Sequence, residues 1–257
     1  MRIPFDIIGS REKAVAVVEV PEEQINQAVE EIRKRHKNIK SILLKLSGRE
    51  GVYRIYNTKL IWGEENTEVL HKEYGYVLKL DPKRVYFSPR EGVERQKIAG
   101  MVKPGERVLV MFSGVGPYAI AIAKKQPGVA EIICVEINLK AVEYAQENAK
   151  LNKVDNKIKN YCWDVREACD LGRFDRIIMP LPESAVEFLD VASRCAKPGA
   201  IVHIYGISEE KTRFSDFEKR LQESARRADL KIKVIKKTAV SEYAPHKWKV
   251  RFDLKVC

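Results

Sequence analysis

Gly114, Gly116 and Glu136 are the residues whose types and spacing first imply chemistry. The two glycines stand in Met111-Phe112-Ser113-Gly114-Val115-Gly116-Pro117, between the apolar stretch 106–110 and a helical apolar run from Ala119 to Ala123. Glycines at such a turn let the chain reverse tightly and bring backbone against a ligand with no side chain in the way. Glu136 ends the next apolar stretch, 20 residues past Gly116. There a carboxylate can accept hydrogen bonds from both ribose hydroxyls of an adenosine. That arrangement serves NAD and S-adenosylmethionine alike, and Ala119, at the third-glycine position of the dinucleotide fingerprint, leaves NAD open. Pro117 removes one of the helix N-terminal N–H groups that a pyrophosphate uses, so the turn favours S-adenosylmethionine, which carries no phosphate.

Holding these residues requires strand, turn and helix in alternation, and the chain supplies that rhythm from Pro82 onward. Val85 to Arg90 leads into a helix carrying Val93, Ile98 and Met101, and Lys103-Pro104-Gly105 turns into the strand before the glycines. Ala141, Tyr144, Ala145, Asn148 and Ala149 share a helical face; Ile158 to Cys162, Arg176 to Met179 and Ile201 to Tyr205 read as further strands. Phe214, Phe217, Leu221 and Ala225 mark a late helix. Trp248, Val250, Phe252, Leu254 and Val256 alternate with Lys247, Lys249, Arg251, Asp253 and Lys255, which predicts an antiparallel strand with one face buried and the charged face in water. Residues 81–257 are therefore expected to be an α/β, Rossmann-like class I methyltransferase sheet, mostly parallel with antiparallel C-terminal strands. Residues 1–80 differ. A strand over 14–20, a helix opened by Pro21 and closed by Arg33-Lys34-Arg35-His36-Lys37, a strand over 42–46 and a β-meander over 47–81 predict a small α+β domain.

The bulk numbers narrow the class. A chain of 257 residues with 45% hydrophobic content can bury a full core, and no apolar run is long enough to span a membrane. The formal charge of +11 points to a polyanionic partner, most simply nucleic acid, or else to a lysine-rich surface suited to high temperature. The five cysteines, odd in number and without a C-x-x-C pair, read as reduced thiols of a cytoplasmic protein that holds no metal. His203, inside an apolar strand, is expected to be a satisfied core histidine.

Several motifs in order then carry a specific resemblance. Tyr86-Phe87-Ser88-Pro89-Arg90, Glu94-Arg95, Phe112-Ser113-Gly114-Val115-Gly116-Pro117, Asn148 to Val154, Asp164-Val165-Arg166, Leu181-Pro182 and Tyr243-Ala244-Pro245 resemble the archaeal and eukaryotic tRNA (guanine-37, N1)-methyltransferases. So does 63–75 with Asn66-Thr67 and His71-Lys72-Glu73. The likeness runs from about residue 40 to the end; full-length members carry a further N-terminal domain, for which the residues before it are too few. Two positions depart from the family pattern. Val110 replaces an acid before Met-Phe, and Pro180 replaces the Asn of an Asn-Leu-Pro motif. The sister wybutosine-pathway enzymes, which transfer the 3-amino-3-carboxypropyl group of the same cofactor, share the His71 and Tyr243 stretches. They tend to lack the counterparts of Arg90, of Pro117-Tyr118 and of Leu181-Pro182, so those positions favour methyl transfer.

The resemblance implies site residues. Glu94 would be the general base that removes the N1 proton, Arg54 would stabilise charge on O6, and Tyr86 and Arg90 would shape the base pocket beside Pro180 and Pro182. Gly114 and Gly116 would line the cofactor, Glu136 hold its ribose and Asp164 its adenine amino group. Phe112, Ser113, Val115, Ile137, Val165, Met179 and Leu181 would complete that site. The implied partner is the tRNA anticodon loop at position 37, the implied protein a monomer. Lys219, Arg220, Arg226, Arg227, Lys231, Lys233, Lys236 and Lys237 are candidate phosphate contacts. A cofactor-binding RNA chaperone without catalysis is the reading from another class.

Overall fold

The computed structural model describes residues 3–51 and 55–257. Two apolar pentapeptides, β1 (Phe5–Gly9) and β2 (Ala14–Val18), pair antiparallel, and α1 (Ile25–Arg35) carries the chain across to β3 (Ile39–Glu50), parallel to β2. β4 (Ile55–Gly63) closes this sheet in the order β1-β2-β3-β4. Ala28 and Ile32 of α1 bury against Ala14, Ala16 and Val18. β1 was not expected from the sequence, which places its first strand at residue 14. The meander expected over 47–81 is divided: β4 belongs to the first sheet, whereas β5 (Val69–Glu73) and β6 (Tyr76–Leu80) form a separate hairpin.

That hairpin is held by side chains. Asn148 and Asn152, one turn apart on α4 (Leu139–Leu151 and its C-cap), pair with the free edge of β6 as a neighbouring strand would. Asn148 Oδ1 accepts from Lys79 N at 2.6 Å and its Nδ2 donates to Lys79 O at 3.0 Å. Asn152 repeats the pair with Val77 at 2.9 and 2.6 Å. On the other side Arg95 of α2 (Gly92–Ala99), 2% exposed, donates to both oxygens of Glu73 at 2.8 and 2.6 Å. Burial works against the Glu73 charge, yet hydrogen bonds from His71 and Arg95 hold its carboxyl down to about 2. Gly9 N donates to His71 Nδ1 at 3.1 Å, so the ring proton sits on Nε2, facing Glu73.

The large sheet contains β7 (Arg107–Met111), β8 (Glu131–Glu136), β9 (Ile158–Cys162), β10 (Phe174–Met179), β11 (Ala196–Glu209), β12 (Ile232–Ala244) and β13 (Lys247–Val256) in the order β12-β13-β11-β10-β7-β8-β9. β7 to β11 pair parallel, and β13 is antiparallel to both of its neighbours. α3 (Pro117–Lys125), α4, α5 (Leu189–Cys195) and α6 (Ser215–Arg227) connect the strands. Strand order reverses between β7 and β10, and in open α/β sheets ligands bind at the carboxyl ends on either side of such a reversal. Among the described residues no helix is long and apolar enough to cross a membrane.

Two expectations are corrected. Cys169 and Cys195 are joined by a disulfide with Cα atoms 4.7 Å apart, 26 residues apart in sequence, while Cys134, Cys162 and Cys257 are free. The short helical segment Val165–Leu171 docks beside α5 and brings the pair together, which spacing alone does not report. The second correction is β13. It lies inside the sheet and both its faces are covered, so Lys249, Arg251 and Asp253 are 3%, 1% and 6% exposed. Arg251 donates to Asp253 Oδ1 at 2.8 Å, and Asp253 meets His203 Nδ1 at 2.6 Å. Arg176 stands 2.7 Å from His203 Nε2 and, since Arg only donates, Nε2 accepts and Nδ1 carries the proton to Asp253. Burial lowers the His203 pKa, in keeping with a neutral core imidazole.

Candidate functional site

The turn after β7 forms as the glycine spacing requires. Gly114 has φ +54° and Gly116 φ +82°, both left-handed, and a Cβ on Gly116 would lie 3.4 Å from Ala145 Cβ. Phe112 is also left-handed at φ +55°, unfavourable for a bulky residue and held by an edge-on contact with Phe188 at 5.1 Å. Pro117 opens α3, where its missing N–H costs no helical bond. Glu136, ending β8, accepts from Gly114 N and from Asn138 N, each at 2.9 Å, which ties the first turn to the second. Burial pushes the Glu136 carboxyl above its ordinary value, against these backbone hydrogen bonds.

Around them lies a cavity of about 430 Å³. Phe112, Gly114, Glu136, Ile137, Asp164, Val165 and Leu181 line it, as do Tyr86, Pro180 and Pro182. Ser113, Val115, Gly116 and Met179 do not. They build the turn and the strand end behind it: Ser113 N donates to Val135 O at 3.1 Å, and Val115 and Met179 are wholly buried. Asp164 lines the cavity and also caps the segment Val165–Leu171, accepting from Arg166 N at 2.9 Å. The cavity suits S-adenosylmethionine. Glu136 brings a carboxylate to it, Gly114 gives left-handed bare backbone, and Phe112 and Phe188 supply apolar wall.

A second cavity, of about 680 Å³, lies between the first sheet and the large one. Tyr86 and Pro182 belong to both cavities, so the two adjoin. Arg90 lines the second and donates to Asp6 Oδ1 at 2.6 Å. Tyr243 and Pro245 face it too, with the Tyr243 hydroxyl bonded to Glu183 beyond Pro182. Glu94 lies elsewhere. It is 3% exposed, accepts from the Tyr205 hydroxyl at 2.8 Å and from Arg251, and lines neither cavity. Arg54 lies outside the described residues. Asn138, Glu91 and Lys249 escaped sequence reasoning. Asn138 caps α4 through Lys140 N at 3.0 Å and lines the cofactor cavity; its signal was an Asn two residues past Glu136. Glu91 lines both cavities and binds Lys249 at 2.5 Å, a pairing 158 residues apart that no local pattern announces.

Comparison with known proteins follows the same geometry. Residues 69–235 match the family model described as the TRM5/TYW2 methyltransferase domain. The chain is 40% identical to the tRNA (guanine(37)-N(1))-methyltransferase Trm5b of Pyrococcus abyssi over 98% of its length and 74% of that protein. Its structure superposes on that of aTrm5 in complex with tRNALeu with TM-score 0.86 at 30% identity, covering 100% of this chain and 73% of the other. On Methanocaldococcus jannaschii Trm5 in complex with adenosine the TM-score is 0.82 at 30% identity, covering 100% and 74%.

Proposed function

Since the chain belongs to the TRM5/TYW2 methyltransferase family, whose cofactor is S-adenosylmethionine, we propose that it methylates N1 of guanosine, or a related purine, at position 37 of tRNA. The observation that carries this reading is the junction of the two cavities at Tyr86 and Pro182. One cavity has the acid and the bare glycine backbone for an adenosine; the other, lined by Tyr56, Tyr86 and Arg90, is open to a base from outside. The cofactor supplies an electrophilic methyl on sulfur. The protein's part is to hold the base in line with it, to exclude water and to take the N1 proton.

In this reading residues 1–80 form a substrate-side unit and 81–257 the cofactor-side one, the protein acting as a cytoplasmic monomer. By correspondence with the family, a carboxylate at the start of α2 is the base, with Glu94 at the family's position. Its Oε2 is buried without a hydrogen-bond partner, which supports a role beyond the contact with Arg251. Arg54 would stabilise O6. Leu181-Pro182 supports transfer of methyl, whereas Pro180, in place of Asn, removes a side-chain amide from that wall. The test is mass spectrometry of nucleosides from a position-37 guanosine tRNA incubated with protein and S-adenosylmethionine. A methylguanosine is expected. An aminocarboxypropyl adduct would move the activity to the sister branch, and cofactor binding with no adduct on any tRNA would favour the non-catalytic RNA chaperone.

A further inference from the structure

The second cavity, at about 680 Å³, is larger than the one of about 430 Å³ that suits a whole nucleoside with its amino-acid chain, so it has room for more than the target base. Tyr86 stands where the two cavities adjoin, and the Tyr56 ring follows with centroids 6.2 Å apart and planes tilted by 53°. Tyr56 comes from β4, and Lys45, from the paired strand β3, lies over its ring with the ammonium 4.4 Å from the centroid. The Lys45 ammonium is also 3.7 Å from a carboxylate oxygen of Glu19, which is 77% exposed, so water weakens that pair. Tyr86, Tyr56 and Lys45 thus form a row leading away from the cofactor, two aromatic rings and then a cation. The described lining of the cavity carries five carboxylates against three cations, Lys45, Arg90 and Lys249. That balance disfavours an RNA backbone inside and leaves the bases to enter.

Taking the reading above as its premise, we propose that Tyr56 and Lys45 form a second subsite, which holds the nucleobase next to the target in the RNA strand. The target base stands at Tyr86 beside the cofactor, and its neighbour stacks on the Tyr56 ring in place of the Lys45 ammonium. A base stacked on an aromatic ring outweighs a cation over a partly exposed one, so the exchange is favourable. Lys45, loosely held by Glu19, turns to the phosphate that joins the two nucleotides at the edge of the cavity. The contact reads the presence of a second unpaired base rather than its identity, because every base offers a flat face. Two consecutive bases must leave their stack to fill both positions, which selects a loop over a paired stem.

Affinity for tRNA, measured with S-adenosylhomocysteine bound, tests this on an intact tRNA and on two tRNAs made abasic on the 5′ or the 3′ side of position 37. Tyr56→Leu is expected to weaken binding of the intact tRNA about tenfold while affinity for S-adenosylhomocysteine holds. One abasic tRNA should bind the wild-type protein about tenfold more weakly and lose nothing further with Tyr56→Leu. The other should respond to the substitution as the intact tRNA does. That cancellation identifies the neighbour held, and a tyrosine that only packs would not produce it. Tyr56→Phe, which keeps the ring, should bind like the wild type. Should Tyr56→Leu fail to fold, the wild-type protein on the two abasic tRNAs still decides. An undiminished Tyr56→Leu, an equal loss on all three tRNAs, a Tyr56→Phe loss as large as that of Tyr56→Leu, or full wild-type affinity for both abasic tRNAs would each overturn the proposal. Binding is read without turnover, so a protein that yields no methylguanosine would overturn the function instead, a separate result.

Discussion

Glu136 couples folding and protonation in one side chain, and in the proposed reading the ligand as well. Its two oxygens fix the glycine turn and the start of α4, and burial raises its carboxyl above the ordinary value. With the folded value above the unfolded one, its contribution to ligand-free stability is fully present below the unfolded carboxylate value. That contribution is lost as pH rises through the raised value. With Glu136 as the proposed ribose acceptor, cofactor binding runs the other way, because the ribose hydroxyls need an ionised acceptor. Calorimetric titration with S-adenosylmethionine should therefore show affinity rising with pH over that window. Glu136→Gln should weaken binding about tenfold or more and flatten the dependence. Arg251 offers a different test. Arg251→Met leaves Glu94 and Asp253 uncompensated in the core, and thermal or denaturant unfolding should show a loss of about 3–5 kcal/mol.

At the scale of elements, α4 replaces a missing strand. Lone hairpins are marginal in water, and β6 survives because Asn148 and Asn152 satisfy its exposed backbone at every other residue. Asn148→Ala should cost about 1–3 kcal/mol and speed hydrogen exchange at Lys79 more than at β11. The motif around Asn148 was visible as a resemblance, but its task was not, since the partner backbone lies 69 residues away. β11 crosses α6 closely enough that a Cβ on Gly206 would fall 2.1 Å from the Phe217 ring. The parallel strands, by contrast, were legible, because a strand buried on both faces reads as a continuous apolar run.

At the scale of the whole molecule, one end of the large sheet carries a cluster of eight of the 47 lysines and arginines. Lys219, Arg220, Arg226, Arg227, Lys231, Lys233, Lys236 and Lys237 are all exposed on α6, on edge strand β12 and just between them, and Lys237 is paired with Glu218 at 2.6 Å. Lysines on an edge strand also discourage pairing with other chains, so the charge has a structural use whatever it binds. The two roles separate in a salt titration of tRNA binding. If the face touches phosphates, replacing Lys231 and Lys233 with Gln should weaken binding. The slope of log affinity against log salt should also fall by about 1 for each phosphate no longer neutralised. An unchanged slope would leave these lysines as edge protection.

The cofactor half can be read from sequence without the fold. Gly114, Gly116, Pro117 and Glu136 act through local backbone geometry and the register of two adjacent parallel strands, β7 and β8, and such short-range constraints are written in spacing. Which charges face the substrate depends instead on the folded arrangement. Lys249, Arg251 and Asp253 alternate like a solvated strand face, and only the docking of α2 beside Lys249 and Arg251, and of β11 beside Asp253, turns them into buried partners of Glu91, Glu94 and His203. The same docking separates Glu91, at the junction of the cavities, from Glu94 one turn behind it. The Cys169–Cys195 bond depends likewise on how two helices meet. Burial is a property of what covers a residue, and the covering element lies far along the chain.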